Sequence, residues 1–531
     1  MVGMSDSIHR AAGLFHRRML WREGERVEPM VALLGPAGAG KSTALRSLAS
    51  ECGSTVVHAT LDFAEHDLDS IPAAAMVTFD MMRGWANRRE LTFHRFALGL
   101  LALNEELDAN RARARDQINE LIRAYVRNTG RGRSMTRMER VTEAAVDVAA
   151  IGVLGHIGAG PTGEIVQTAR DRAKPAIGSL LQSTARWGMR DSLRFYGNLL
   201  RAETVIDGLI ALSRATPAAA VGHLLRALLA DMRDNDVHRP PLPSACTCLV
   251  PGSGTRRAAK HGHAWMLLVD NADTSRGRRF LADLADARCA RAVPGDGLPP
   301  AYDPLLVVAA FGEWQPGLTR WWSEPWRAEP RPGTAQRRIP PFSRAERSLW
   351  ANPNEAAVTR TGDASACWYP VWLEPLNRPA GARPAARGTT SAAEADADFV
   401  GRLSAGHPAA MADLNEALTL VHPAMVDGAP NARGVMDSEG NGATAPLWRR
   451  AVTDALPDVL DGAAWHAVPD VATAAAYLAD RQSAQDGRLP ASPPGLSQVV
   501  ESLRRHLWIS TFNARPSRLW PIARGAAVHP A

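Results

Sequence analysis

Gly35-Pro36-Ala37-Gly38-Ala39-Gly40-Lys41-Ser42 reads G-x-x-x-x-G-K-[ST], the spacing of a phosphate-cradling loop, or Walker A motif. Glycines permit positive φ, so successive backbone N–H groups can turn inward onto the α- and β-phosphates of a nucleotide. A helix opening near Lys41 would aim the positive end of its dipole at the same oxygens. Lys41 supplies a point charge for the β- and γ-phosphates, and the Ser42 hydroxyl is a ligand for Mg²⁺. The expected nucleotide-binding set is Gly35, Pro36, Ala37, Gly38, Ala39, Gly40, Lys41, Ser42 and Thr43. Three clustered glycines cost roughly 0.5–1 kcal/mol each in backbone entropy, which an ordinary turn would not need.

Such a loop needs a carboxylate to hold Mg²⁺ from the C-terminal edge of a nearby strand. Asp270, closing the apolar run Trp265-Met266-Leu267-Leu268-Val269, fits this Walker B role. Asp273 lies three residues on and is a candidate to orient or deprotonate an attacking water. The expected catalytic group is therefore Lys41, Asp270 and Asp273, and the metal ligands are Ser42 and Asp270.

The elements that must position these groups are legible as apolar runs. Met30–Leu34, Leu305–Phe311 and Trp368–Leu373 are apolar runs, and Trp265–Val269, ending in Asp270, shows no period-2 alternation, as expected of a strand buried on both faces. Ser42–Ser50 is in helical register, and Thr55–Leu61 is β-rich. The order strand, loop, helix, strand opens a parallel α/β sheet. Ser5–Arg22 reads as an amphipathic helix, and Arg279–Ala292 as another. Between about 80 and 239 the pattern is helical, including Val221, Leu224, Leu225, Leu228, Leu229 and Met232 behind a Thr216-Pro217 start. Arg239–Gly262 reads as a connector and Arg378–Ala395 as a linker.

At 531 residues and 57.1 kDa, with 46% hydrophobic residues, the chain is long enough for about two to four domains. That hydrophobic content excludes wholesale disorder, and no 20–50-residue repeat points to a solenoid. No apolar run reaches 18 residues, and Asp6, His9 and Arg10 stand where a signal peptide needs an apolar core. A cytoplasmic protein with no membrane partner is expected. Five cysteines argue against a disulfide framework. Of 61 basic residues only Lys41, Lys174 and Lys260 are lysines. A lysine kept in so arginine-rich a chain hints that a compact ammonium is needed at position 41.

With both acidic and phosphate motifs present, the chain resembles the STAND-type P-loop NTPases, AAA+-related proteins that include NB-ARC and NACHT modules. Asp270-Asn271-Ala272-Asp273 resembles the acidic turn of that class. Tyr369–Leu376 resembles the strand leading into its helical lid, and Phe399–Leu414 resembles the lid helices with their Gly-x-Pro turn, here Gly406-His407-Pro408. The resemblance implies that Pro408 contacts the nucleotide. It also implies an α/β fold: a parallel-sheet P-loop NTPase core (25–80 and 240–376) with a large helical insert (81–239). A helical lid (397–425) and a C-terminal winged-helix-like domain (444–531) follow it, and an N-terminal helix (1–24) precedes it. The implied activity is that of an ATP/ADP-binding switch with slow or conditional Mg²⁺-dependent hydrolysis, acting through a protein partner or self-association. One departure stands out: the family's sensor strand tends to end in Thr/Ser and Arg, whereas this chain reads Ala309-Ala310-Phe311-Gly312-Glu313. A carboxylate there would repel a phosphate, so rapid hydrolysis is not expected. Two rivals are a DNA-binding AAA+-like ATPase using its winged helix, and a non-hydrolysing scaffold.

Other constellations favour plainer readings. Cys246, Cys248, His261 and His263 are spaced too tightly for structural zinc. Trp314, Trp321, Trp322 and Trp326 fit a loop covering a sheet edge better than a platform for a base. Arg127–Arg140 reads as a solvated loop. For the C-terminal domain, packing against the core is favoured over contact with nucleic acid, since no concentrated basic helix extends beyond Arg504-Arg505.

Overall fold

The apolar runs become the strands of one parallel sheet. The computed structural model describes residues 2–19, 21–22, 27–66, 68–85, 88, 91–130, 190–238, 262–290, 303–325, 327 and 330–374. Within them, β1 (Trp21–Arg22) pairs antiparallel with β4 (Gly262–His263) as a two-stranded ribbon. The main sheet contains β2 (Met30–Leu34), β3 (His58–Asp62), β5 (Trp265–Asp270), β6 (Leu305–Phe311) and β7 (Trp368–Trp372), in the order β3-β5-β6-β2-β7, all parallel. Every residue of β2 and β6 is buried, which explains their unbroken apolar sequences.

The helices are α1 (Val2–Met19), α2 (Lys41–Cys52), α3 (Ser70–Met82), α4 (His94–Leu103), α5 (Arg111–Gly130), α6 (Arg190–Leu199), α7 (Val205–Ser213), α8 (Pro217–His238) and α9 (Ser275–Cys289). A further helix, Arg347–Ala356, precedes β7. From β2 the chain passes through α2 to the far edge at β3, then steps back through β5 and β6 before crossing β2 to reach β7. Right-handed crossovers then put α2 on the face opposite α3, α8 and α9. In agreement, α2 packs with α1, while α3, α8 and α9 pack with one another. The direction of winding reverses at β2, and a crevice opens at the C-terminal ends of strands where winding reverses. The glycine loop leaves β2 at that point.

Between β3 and β4 every described element is a helix. A second apolar core, with Phe195, Tyr196, Leu209, Ile210 and Ile118, holds α4 to α8 together. The Arg/Gly segment expected as a loop from Arg127 begins inside α5, which continues to Gly130; the rest of it lies outside the described residues. The N-terminal helix ends at Met19 rather than Arg22, because Trp21 and Arg22 are drawn into the ribbon with His263 and Gly262.

The tryptophan-rich segment after β6 covers the exposed edge of β7, as expected. Trp322 donates its indole N–H to the Trp368 carbonyl at 3.0 Å, and Pro340 accepts from the Trp372 N–H at 2.9 Å. Pro370, which has no N–H to give, is tolerated there because β7 has a sheet neighbour on one side only. Trp326 lies outside the described residues, as do the lid (397–425, with Pro408) and the winged-helix-like segment (444–531). Among the described residues, no helix is long and apolar enough to cross a membrane.

Candidate functional site

The glycine loop is tightly built. After Leu34, the Gly35 N–H donates to the Phe311 carbonyl of β6 at 3.3 Å, and the Ala39 N–H closes a turn onto Pro36 at 3.2 Å. A Cβ on Gly35 would stand 3.1 Å from that of Ala39. Gly38 and Gly40 have φ of 73° and 89°, the left-handed conformation that other residues enter only at a cost of ~1–2 kcal/mol. Gly40 is the N-cap of α2, and no side chain caps that helix. The first helical bond runs from the Ala44 N–H to Gly40 at 2.9 Å. The N–H groups of Lys41, Ser42 and Thr43 therefore precede it, in the turn that has no intrahelical acceptor. Ala37, Gly38 and Ser42 are exposed, and Thr43 is half-buried.

Lys41 turns back over the loop. Its ammonium donates to the Gly35 and Pro36 carbonyls at 2.8 and 2.9 Å. Burial pulls its pKa down to about 8, while the negative charges of Asp273 and Asp270 oppose that fall. Both carboxylates thus lie within electrostatic reach of Lys41, although β6 separates β5 from β2 in the sheet.

Asp273 is held between two strand ends. Its carboxylate accepts the N–H groups of Gly312, through Oδ2, and of Glu313, through Oδ1 at 3.3 Å, both just past β6. A Cβ on Gly312 would lie 3.2 Å from Asp273 Oδ2 and 3.7 Å from Lys41 Nζ, so the absence of a side chain there lets the acid and the ammonium converge. Burial raises the pKa of Asp273, against the two main-chain donors and Lys41. Glu313, expected to face the phosphates, pairs with Arg278 of α9 at 3.4 Å.

Asp270 ends β5 half-exposed and accepts the Asn271 N–H at 2.9 Å. Asn271 has a left-handed backbone, φ 50°, and its amide donates to Asp62 at 2.6 Å. Asp62 stands opposite Asp270 in the β3–β5 register. Asn271 therefore ties together the ends of two strands, with Asp270 beside it.

No protein-family model, curated protein or solved structure matches this chain. The site must be judged on its own geometry. Two left-handed glycines, a helix start without a side-chain cap and a lysine suit a polyphosphate. The Ser42 hydroxyl and the Asp270 carboxylate are oxygen donors of the kind Mg²⁺ takes, with phosphate and water completing its shell. Among the described residues, no group of three His, Cys, Asp or Glu side chains is arranged to hold a metal without such help. Of the tight Cys/His set, His263 lies buried in β4, and Cys246, Cys248 and His261 fall outside the described residues.

The structure thus brings Gly35–Thr43, Asp270 and Asp273 to one edge of the sheet. Sequence reasoning gave no role to Asp62 or Asn271. The only local signal was an Asp closing a β-rich run; its partnership with Asn271 depends on β3 lying beside β5, which no local pattern encodes.

Proposed function

We propose that this chain binds Mg·ATP and ADP at the glycine loop and works as a P-loop molecular switch of the STAND type. Lys41 neutralises the β- and γ-phosphates, the N–H groups of the loop and of the first turn of α2 cradle them, and Ser42 and Asp270 hold Mg²⁺. The observation that carries this reading is the meeting of Lys41, Asp273 and Gly312 beside an uncapped α2, at the strand where winding reverses. Mg²⁺, when bound, would offset the charge of the phosphate oxygens. The chain's own part is to seat those oxygens and fix their charge. Switching requires unequal affinity for ATP and ADP in two states; moving a population from 1:99 to 99:1 takes about a 10⁴-fold preference. A lid bearing Pro408, a protein partner or a second copy of the chain, and a cytoplasmic setting belong to the same proposal.

A second reading, a nucleotide-binding scaffold without turnover, gains support from Asp273. Both of its oxygens are engaged by main-chain donors, so it is poorly placed to take a proton from water. Mass spectrometry of nucleotide released from purified protein, paired with a turnover assay, separates the two. ADP release with slow ATP turnover supports the switch, and retained ADP without turnover supports the scaffold. Protein that neither carries nor takes up any nucleotide refutes both. DNA binding through 444–531 is the remaining rival; a salt-dependent mobility shift would favour it.

A further inference from the structure

Two cysteines unrelated to the nucleotide site lie against each other. Cys289 is the last residue of α9, and Cys367 is the last residue of the 3₁₀ turn Ala364–Cys367, directly before β7. They are 78 positions apart in sequence, yet their Sγ atoms are 3.0 Å apart and both are free thiols. Cys289 is half-buried and Cys367 buried. The close approach is built into the backbone. Gly362 takes a left-handed φ of 66°, and a Cβ there would meet the Cys289 carbonyl at 3.2 Å. Next to the pair, Arg288 bonds Asp303 at 2.6 Å and the carbonyl of Leu305, fixing the end of α9 to the start of β6.

We propose that Cys289 and Cys367 form a reversible redox pair, oxidised to an intramolecular disulfide by a low-molecular-weight disulfide such as oxidised glutathione. A disulfide bond is about 2.05 Å long, so the sulfurs must close by about 1 Å. The half-buried Cys289 is the accessible thiol. Its thiolate attacks one sulfur of glutathione disulfide, forming Cys289–S–SG and releasing one glutathione thiolate. The Cys367 sulfur then attacks the Cys289 sulfur and gives up its proton to solvent, and the second glutathione leaves as thiolate. In sum two protein thiols and one disulfide give one protein disulfide and two glutathione thiols, with the protein oxidised by two electrons and the reagent reduced by two. The hydrogen bond with Cys289, and burial, raise the pKa of Cys367, so Cys289 is the thiol that attacks first and Cys367 must lose its proton as it attacks the mixed disulfide. The cross-link staples the end of α9, whose first turn follows Asp273, to the start of the edge strand β7, and it encloses β6 and the tryptophan-rich segment. This inference does not depend on nucleotide binding.

The test is equilibration of the full chain in excess oxidised glutathione, alkylation, and non-reducing peptide mass spectrometry, with melting followed in parallel. The expected result is a peptide pair joined through Cys289 and Cys367, reversed by dithiothreitol. A melting temperature raised by ~5 °C should accompany it, with the rise absent in both Cys289→Ser and Cys367→Ser. Either cysteine remaining alkylatable would overturn the proposal. So would a Cys289–glutathione adduct that never resolves, or a linkage of either cysteine to Cys52, Cys246 or Cys248. The peptide readout uses the wild-type chain, so it stands even if a serine variant folds poorly.

Discussion

Two helix starts in this molecule face the same problem and solve it differently. Each presents N–H groups that lack a partner within the helix, and neither N-cap residue, Phe93 for α4 or Gly40 for α2, uses its own side chain. At α4 the solution is internal. Asp231, buried on α8, accepts the N–H groups of Arg95 at 3.2 Å and Phe96 at 2.9 Å, and also takes the Arg95 guanidinium at 3.0 Å. At α2 no described side chain caps the start. The N–H groups are preceded by left-handed glycines, and the Lys41 ammonium folds back onto the loop carbonyls. The first start brings its own anion, and the second is where we propose that one is received. That contrast explains why one site reads as packing and the other as a candidate for phosphate.

The contrast can be broken most forcefully at α4. Replacing Asp231 by Ala removes the nearer acid partner of the buried Arg95 guanidinium and the acceptor of two N–H groups, and should lower unfolding free energy by about 3–5 kcal/mol in a denaturant melt. A loss below ~1 kcal/mol would mean that the carboxylate is not acting as a cap. At α2, Gly40→Ala should cost ~1–2 kcal/mol of stability, because alanine is strained at φ 89°. It should also weaken any polyphosphate binding, and an unaffected melt would show that the loop does not need its left-handed turn. The smallest effect is expected at a third start, that of α7. There the Thr204 hydroxyl accepts the Asp207 N–H and donates to the Asp207 carboxylate, and Arg115 and Arg111 hold that carboxyl below its usual pKa. A depressed carboxylate contributes stability above its unfolded pKa, near 4, and loses that contribution as pH falls through its folded value. Thermal melts from pH 6 down to pH 3 should therefore show the wild type losing an increment of stability that Asp207→Asn lacks throughout. Parallel curves would remove the ion pairs from the account.

The sequence discloses the apolar half of this structure better than the polar half. Met30–Leu34 and Leu305–Phe311 coincide with β2 and β6, because strands buried on both faces must be uniformly apolar. The Thr55–Leu61 run overshoots: β3 begins at His58, and Thr55 and Val56 instead bond back to the end of α2. The loop motif was legible for the same local reason, since its residues act on their own backbone. What stayed hidden is non-local. The β3-β5-β6-β2-β7 order, the Asn271–Asp62 bond, the capping of α4 by Asp231 and the meeting of Cys289 with Cys367 all join residues far apart in the chain. Glu313 is the instructive case. By position it is expected to oppose a phosphate, yet Arg278, six residues beyond Ala272, pairs with it. Its charge is thus shared with a partner that spacing alone does not reveal.

Calorimetric titration of Mg·ATP into the wild type and Lys41→Ala, both checked for folding by melting, most directly tests whether α2 was built to receive an anion. Saturable binding of about one nucleotide per chain in the wild type, abolished in the variant, is the predicted result. Equal binding in the two proteins, or none in nucleotide-free wild type, would contradict it.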